Sequence, residues 1–362
     1  MLDPGGGVAV VAAPGGERAA VVDAIRAARA RAGEGAMILI AAAGHDPRAV
    51  LRATGEADAD PKRTLAAIAQ GVIVDAEPLA TPGAAVLALP AALGAEAAWL
   101  IDPLSRKPGA AIARRWAGVL GLGPAPDALA AGLAPLTARG VAAVGVVGEP
   151  GQGVVVGDEL GIAPGALLLG AGTFVIAAAP GVALTGPTLA ITDADGAALH
   201  TLDGRPALAA LRGAGDYLTH DPATAAQGYL VAVATDPAQL LTPGDAPLVG
   251  VAAVDPDRGF VRLTAPPPPG AHVRLAIPEP TAAFAAVRAA ASHVRAHASG
   301  TPVAAIWISS AARASGDSAA RDALFLRAEL GVPLLGILGA AELCGTAPPS
   351  IHGGVLALVC RS

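Results

Sequence analysis

The feature that most narrows the fold of this chain is a signature that it carries twice. Near the N-terminus Leu65–Ile73 (LAAIAQGVI) leads into Ala85–Leu89 (AVLAL), and near the C-terminus Leu335–Leu343 (LGILGAAEL) leads into Gly354–Leu358 (GVLAL). The context repeats as well. In the first copy a helix-period stretch, Ala19–Ala32, precedes a β-rich run, Met37–Ala42, and a second helix-period stretch, Arg48–Gly55. In the second copy the same order reads Thr281–Ala298, Val303–Ser309, Ser318–Leu330. Agreement in spacing to within a few residues favours duplication, and two copies about two hundred residues apart do not make a solenoid or propeller. The expectation is an α+β fold of two related αβαββ-type lobes, with mixed and antiparallel sheets in layered packing. A seam between similar lobes is a natural concave site for a small ligand.

At 362 residues the chain can bury a large core, and two domains are expected, 1–225 and 226–362, each holding one copy. Hydrophobic residues make up 53% and charged residues 15%, which excludes a solvated, disordered chain. With aromatics at only 2%, pockets must be lined by aliphatic side chains and backbone, and a base-stacking surface is not expected. A net charge of −6 without any basic run argues against a nucleic-acid partner. Cys344 and Cys360, the only cysteines, read as buried thiols rather than a disulfide. The start MLDPGGG has no basic n-region, so a cytoplasmic location is expected. Leu160–Thr192 carries no charge, but Gly and Pro interrupt it every few residues, so it reads as buried strands and turns rather than a membrane span.

Between the copies, Gly109–Leu120 and Pro126–Arg139 read as helices. Val141–Val147, Gly153–Val156, Ala166–Leu169, Phe174–Ala179 and Leu189–Asp193 read as short strands of one antiparallel sheet. A helix opens at Pro206 behind the turn residues Asp203 and Gly204, and Asp255–Gly259 signals a hairpin.

Standard catalytic strings are largely missing. Gly148–Gly153 (GEPGQG) lacks the lysine of a phosphate loop and reads as a hairpin turn, while His293 and His297, four apart on a helix without a third ligand, read as surface residues rather than a metal site. The polar groups that stand out lie at strand ends of the second copy: Ser309, Ser310 and Arg313 after one strand, Glu342 within the signature and His352 before the last strand. Arg313 and Glu342 could hold the carboxylate and ammonium of one zwitterion, or pair with each other.

These strings carry a resemblance. Ile306–Arg313 (IWISSAAR), Ala319–Pro333, Gly336–Leu343 and His352–Leu358 together resemble the C-terminal half of FIST-domain proteins; Val251–Leu263 and Leu202–Leu208 (LDGRPAL) are similar to that family's central segments, and Gln70–Ile73 to the end of its N-terminal motif. The resemblance implies a sensory module of bacterial signal transduction that binds a small ligand, amino acids being the suggested class, with no cofactor. Arg313, Glu342, His352, Asp203 and Arg205 match motif residues of the family. Ser310 and Ala67 stand where it has Cys, Ala341 where it has Gly, and Val182–Leu184 where it has Cys-Arg-Pro. Output is expected in trans, through a partner such as a histidine kinase or chemotaxis protein. Two rival expectations are a hydrolase-type enzyme using Glu342 or His352 as acid or base, with Ser309 or Ser310 as nucleophile, and a scaffold whose site has decayed.

Overall fold

The structure is a computed structural model of the chain and describes residues 7–214, 230–243, 246–311, 318–345 and 353–361. The described residues divide into two compact units, one within 1–179, 287–346 and 354–362, the other within 180–286 and 347–353. The first unit is thus assembled from both ends of the chain. The expected boundary at 225 lies outside the described residues.

The first copy forms β1 (Ala9–Pro14), α1 (Arg18–Ala32), β2 (Met37–Ala43), α2 (Pro47–Glu56), β3 (Thr64–Ala69), β4 (Gly71–Val74), β5 (Glu77–Pro78) and β6 (Gly83–Leu89). α1 buries Val21, Val22, Ala24, Ile25, Ala28 and Ala32 at helical period and stops at Gly33, whose φ of 91° favours glycine. α2 starts where the Asp46 carboxylate accepts the Arg48 N–H and Pro47 presets the first turn. β2 is buried along its whole length, as a strand covered on both faces must be.

The next segment repeats this plan, although its sequence does not show the signature. β7 (Glu96–Trp99), β8 (Gly118–Gly123), α3 (Pro126–Thr137), β9 (Ala142–Val147), β10 (Val154–Val156), β11 (Glu159–Gly161) and β12 (Gly165–Leu169) follow. The helix expected over Gly109–Leu120 is absent: Ala110–Ala113 makes one 3-10 turn, and Gly118–Gly123 is a central strand. Pairing with β9 and β12 decides its conformation, overriding local pattern. The short strands of this region do not form one antiparallel sheet either, but are dealt among several.

The remaining strand of the first unit before the chain enters the second is β13 (Thr173–Ala178). The second unit contains β14 (Val182–Asp195), β15 (Ala198–Leu202), β16 (Arg205–Pro206), α4 (Ala207–Ala214), β17 (Leu230–Ala234), β18 (Leu248–Asp255), β19 (Phe260–Leu263) and β20 (His272–Pro278). These strands form one antiparallel sheet in the order β14-β20-β17-β18-β19-β15-β16, with Leu199, Leu202, Leu208, Leu211, Val231 and Val273 in its main core. The expected hairpin is present between β18 and β19, its turn held by the Asp255 carboxylate accepting the Asp257 and Arg258 N–H groups.

The C-terminal copy then supplies α5 (Pro280–His297), β21 (Thr301–Ser310), α6 (Ser318–Leu330), β22 (Leu334–Gly339), β23 (Ala341–Cys344) and β24 (Gly354–Arg361). The first unit therefore holds three sheets of one design: β1-β6-β2-β3-β10-β11, β7-β12-β8-β9-β23 and β13-β24-β21-β22-β4-β5. In each, a parallel pair lies at the centre: β2 with β3, β8 with β9, β21 with β22. A short strand from another repeat then extends the pair: β10 joins β3, β23 joins β9 and β4 joins β22, closing a ring of exchanges. Three backbone bonds mark the crossings, Gln70 N–H to Leu338 O, Glu149 N–H to Ile68 O and Ala340 N–H to Val147 O, each 2.8 Å. Gly148–Gly153 is one such crossing and connects strands of two sheets rather than closing a hairpin.

Register makes the equivalence residue by residue. Leu39 opposes Leu65 and Leu87, Leu120 opposes Val144 and Leu167, and Ile306 opposes Leu335 and Ala357. All nine are buried in one apolar core that the three sheets share. Each fully buried Leu or Ile there is worth about 1.5–3 kcal/mol. α1 and α2 cover the outer face of the first sheet, and α3 covers that of the second. Among the described residues no helix is long and apolar enough to cross a membrane. Leu160–Thr192 forms strands and turns, as its Gly and Pro spacing predicts.

Candidate functional site

The turn from β22 into β23 sets the geometry of the most informative polar group. Ala341 opposes Val147 and Glu342 opposes Val146, so Glu342 shares the inward rung of Val146 and Leu122. The same rung in the other two sheets carries Val154 opposite Ala67 and Val72 opposite Ile337, both valines in the shared core. One carboxylate thus stands where the other repeats bury a valine, and it is 3% exposed.

Ser310 lies on the same inward face. It continues the alternation of Ala304, Ile306 and Ile308, all in the shared core, and it opposes Gly339. Gly339 is the contact between the two rungs: a Cβ there would meet the Val146 side chain at 2.4 Å and the Val147 carbonyl at 2.4 Å. Only glycine lets the β22–β23 turn approach β9 so closely. Ser310 is fully buried.

Ser309 points the other way, toward the outer layer, and its Oγ donates to the Ser310 carbonyl at 3.4 Å. The two serines, adjacent in sequence, therefore serve opposite faces of β21. Arg313 and His352 fall outside the described residues. Asp203 and Arg205 belong to the second unit. Asp203 turns the chain between β15 and β16 at φ 47°, its backbone N–H donating to the Ala190 carbonyl and its carboxylate accepting the Ala190 N–H at 2.8 Å. Those are bonds of a turn latch. Arg205 is exposed beside it.

The sequence marks Cys344 only as a buried thiol; it is Glu342's inward neighbour on β23, half-buried against the shared core. Burial, and then the charge of Glu342, push its thiol up to about 11. It is thus protonated and a poor nucleophile at neutral pH. Cys360 is also free, its thiol likewise raised by burial, with a Thr173 hydrogen bond opposing the shift. The signal that singles out Glu342 and Cys344 was present in the repeat itself: aligning the two signatures sets Val72 against Glu342 and Val74 against Cys344.

Compared with known proteins, the chain matches no family model and no curated protein. The residues themselves therefore carry the functional reading. Among the described residues no group of three His, Cys, Asp or Glu side chains is placed to hold a metal. Chemically, a buried carboxylate such as Glu342 accepts hydrogen bonds or pairs with a cation, and the low local dielectric strengthens either interaction.

Proposed function

We propose that the chain is a sensory protein of FIST type that binds a small ligand, an amino acid or similar metabolite, and delivers its output in trans to a signalling partner such as a histidine kinase or chemotaxis protein. The observation that supports this reading is the single carboxylate, Glu342, on a rung where the two equivalent positions are valine. A carboxylate in a low-dielectric core interacts strongly with a cation or a hydrogen-bond donor. The ammonium of an amino acid has that chemistry. Ser310 on the same face supplies a hydroxyl that can donate or accept. A ligand held there would bias strand packing in the copy that joins two sheets, and conformation shifts by its differential affinity for the two states.

The near-complete enclosure of Glu342 favours a second reading, a scaffold in which the carboxylate is satisfied within the chain. A hydrolase is less well supported: the Ser309 hydroxyl faces away from Glu342 and donates to a neighbouring carbonyl, and for Ser310 the histidine that would act as base, His352, lies outside the described residues.

Thermal unfolding against a panel of amino acids and small metabolites separates these readings. A ligand at about a hundredfold over its Kd adds roughly 2.7 kcal/mol to native stability. A saturable rise in Tm that disappears in Glu342→Gln supports the sensor. A flat response across the panel, with Glu342→Gln less stable than the parent, supports the scaffold.

A further inference from the structure

The C-terminal turn of α5 carries a feature that the proposed sensor does not use. His293 and His297 are both exposed and one turn apart, their rings stacked with centroids 4.1 Å apart and planes at 24°. The Nδ1 of His297 lies 2.9 Å from the His293 carbonyl oxygen. A carbonyl only accepts, so Nδ1 donates to it, and Nε2 is the ring nitrogen left to meet an ion. Metal-binding histidines are oriented in this way, with the second ring nitrogen donating to a backbone carbonyl.

We propose that His293 and His297 form a two-histidine site for a divalent transition cation such as Zn2+, Ni2+ or Cu2+, with water in the remaining positions. Imidazole nitrogen suits these ions, and side chains four apart on a helix lie on one face. The neighbouring positions on that face, Ala289 and Ala296, carry only methyl groups, so nothing bulky blocks the ion. Arg295, the nearest cation on the helix, is turned into an ion pair with Glu329 of α6. The last turn of a helix also presents the negative end of the macrodipole, which favours a bound cation. The His293 ring is exposed, so rotation about its side-chain torsions can bring its nitrogen to the usual distance of about 2.0–2.1 Å from an ion at the Nε2 of His297.

The test is titration calorimetry of the full chain with ZnCl2 and with NiCl2. The expected result is one ion per chain, with affinity falling roughly tenfold or more in His297→Ala and in His293→Gln, since each removes half of a chelate. Binding should also weaken as the solution is acidified, because protons compete for the same lone pairs. Both side chains are exposed, so the unliganded Tm of the variants should match the parent. No binding by the parent, or equal affinity in parent and both variants, overturns the proposal.

Discussion

β4 and β10 on one side and β23 on the other perform the same task with different chemistry. Each leaves its own repeat and extends the sheet of another, and each turns two side chains toward the shared core. β4 turns Val72 and Val74 inward, β10 turns Val154 and Val156, and β23 turns Glu342 and Cys344. The backbone exchange is therefore a structural device common to all three repeats, and it does not need the carboxylate. What β23 adds is a charge held where its equivalents add only apolar area. That difference separates the backbone exchange that builds the fold from the polar chemistry that β23 carries and its two equivalents lack.

The largest test of this contrast is Val72→Glu, which places a second carboxylate on the equivalent rung among apolar neighbours. It should cost about 3–5 kcal/mol in urea unfolding, the range for an uncompensated buried charge. Tolerance of Val72→Glu to within about 1 kcal/mol would mean that the rung accepts charge anywhere, and the contrast would fail.

Gly339→Ala probes the close approach that joins the Ser310 and Glu342 rungs. Its Cβ would collide with the Val147 carbonyl as well as with Val146, and backbone cannot rotate away. A loss of about 1–3 kcal/mol is expected by the same measurement. Parent-like stability would show that the β22–β23 turn is looser than its geometry implies.

Glu342→Gln should leave the thiol of Cys344 above its ordinary value, because burial is the larger cause, but lower than about 11, because the neighbouring charge is gone. Alkylation by iodoacetamide near pH 9, followed by mass spectrometry, should then be a few-fold faster at Cys344 while Cys360 is unchanged. An unchanged rate would place the Glu342 charge elsewhere.

The smallest effect is on pH dependence. A thiol whose folded value is raised stabilises the native state below its unfolded value, and this contribution is lost as pH rises through the folded value. Stability should therefore decline between about pH 9 and pH 11, and the decline should be shallower in Cys344→Ala.

Much of the local structure was legible. α1, α2, α5 and α6 lie within one or two residues of their expected limits, because their apolar periodicity, Asp46 cap and Gly33 stop act over a single turn. The middle repeat was hidden. Gly118–Gly123 reads as the tail of a helix until β9 and β12 are placed beside it, and those partners arrive from about twenty and forty residues downstream. The site shows the same division. That Glu342 departs from Val72 can be read by aligning the two signatures. That it faces a core shared by three sheets cannot, since the strand it opposes belongs to a different repeat.

By itself, then, the sequence determined the α+β class, the duplicated strand and helix order, and the identity of the odd polar residues, all of which follow from periodicity and composition within short windows. The tertiary structure alone decided that there are three repeats, that their short strands are exchanged in a ring, that Ser309 and Ser310 serve opposite faces, and that Asp203 and Arg205 belong to a separate unit. Strand pairing is the physical reason: hydrogen-bond partners far apart in the chain set both the register and the face that each side chain occupies.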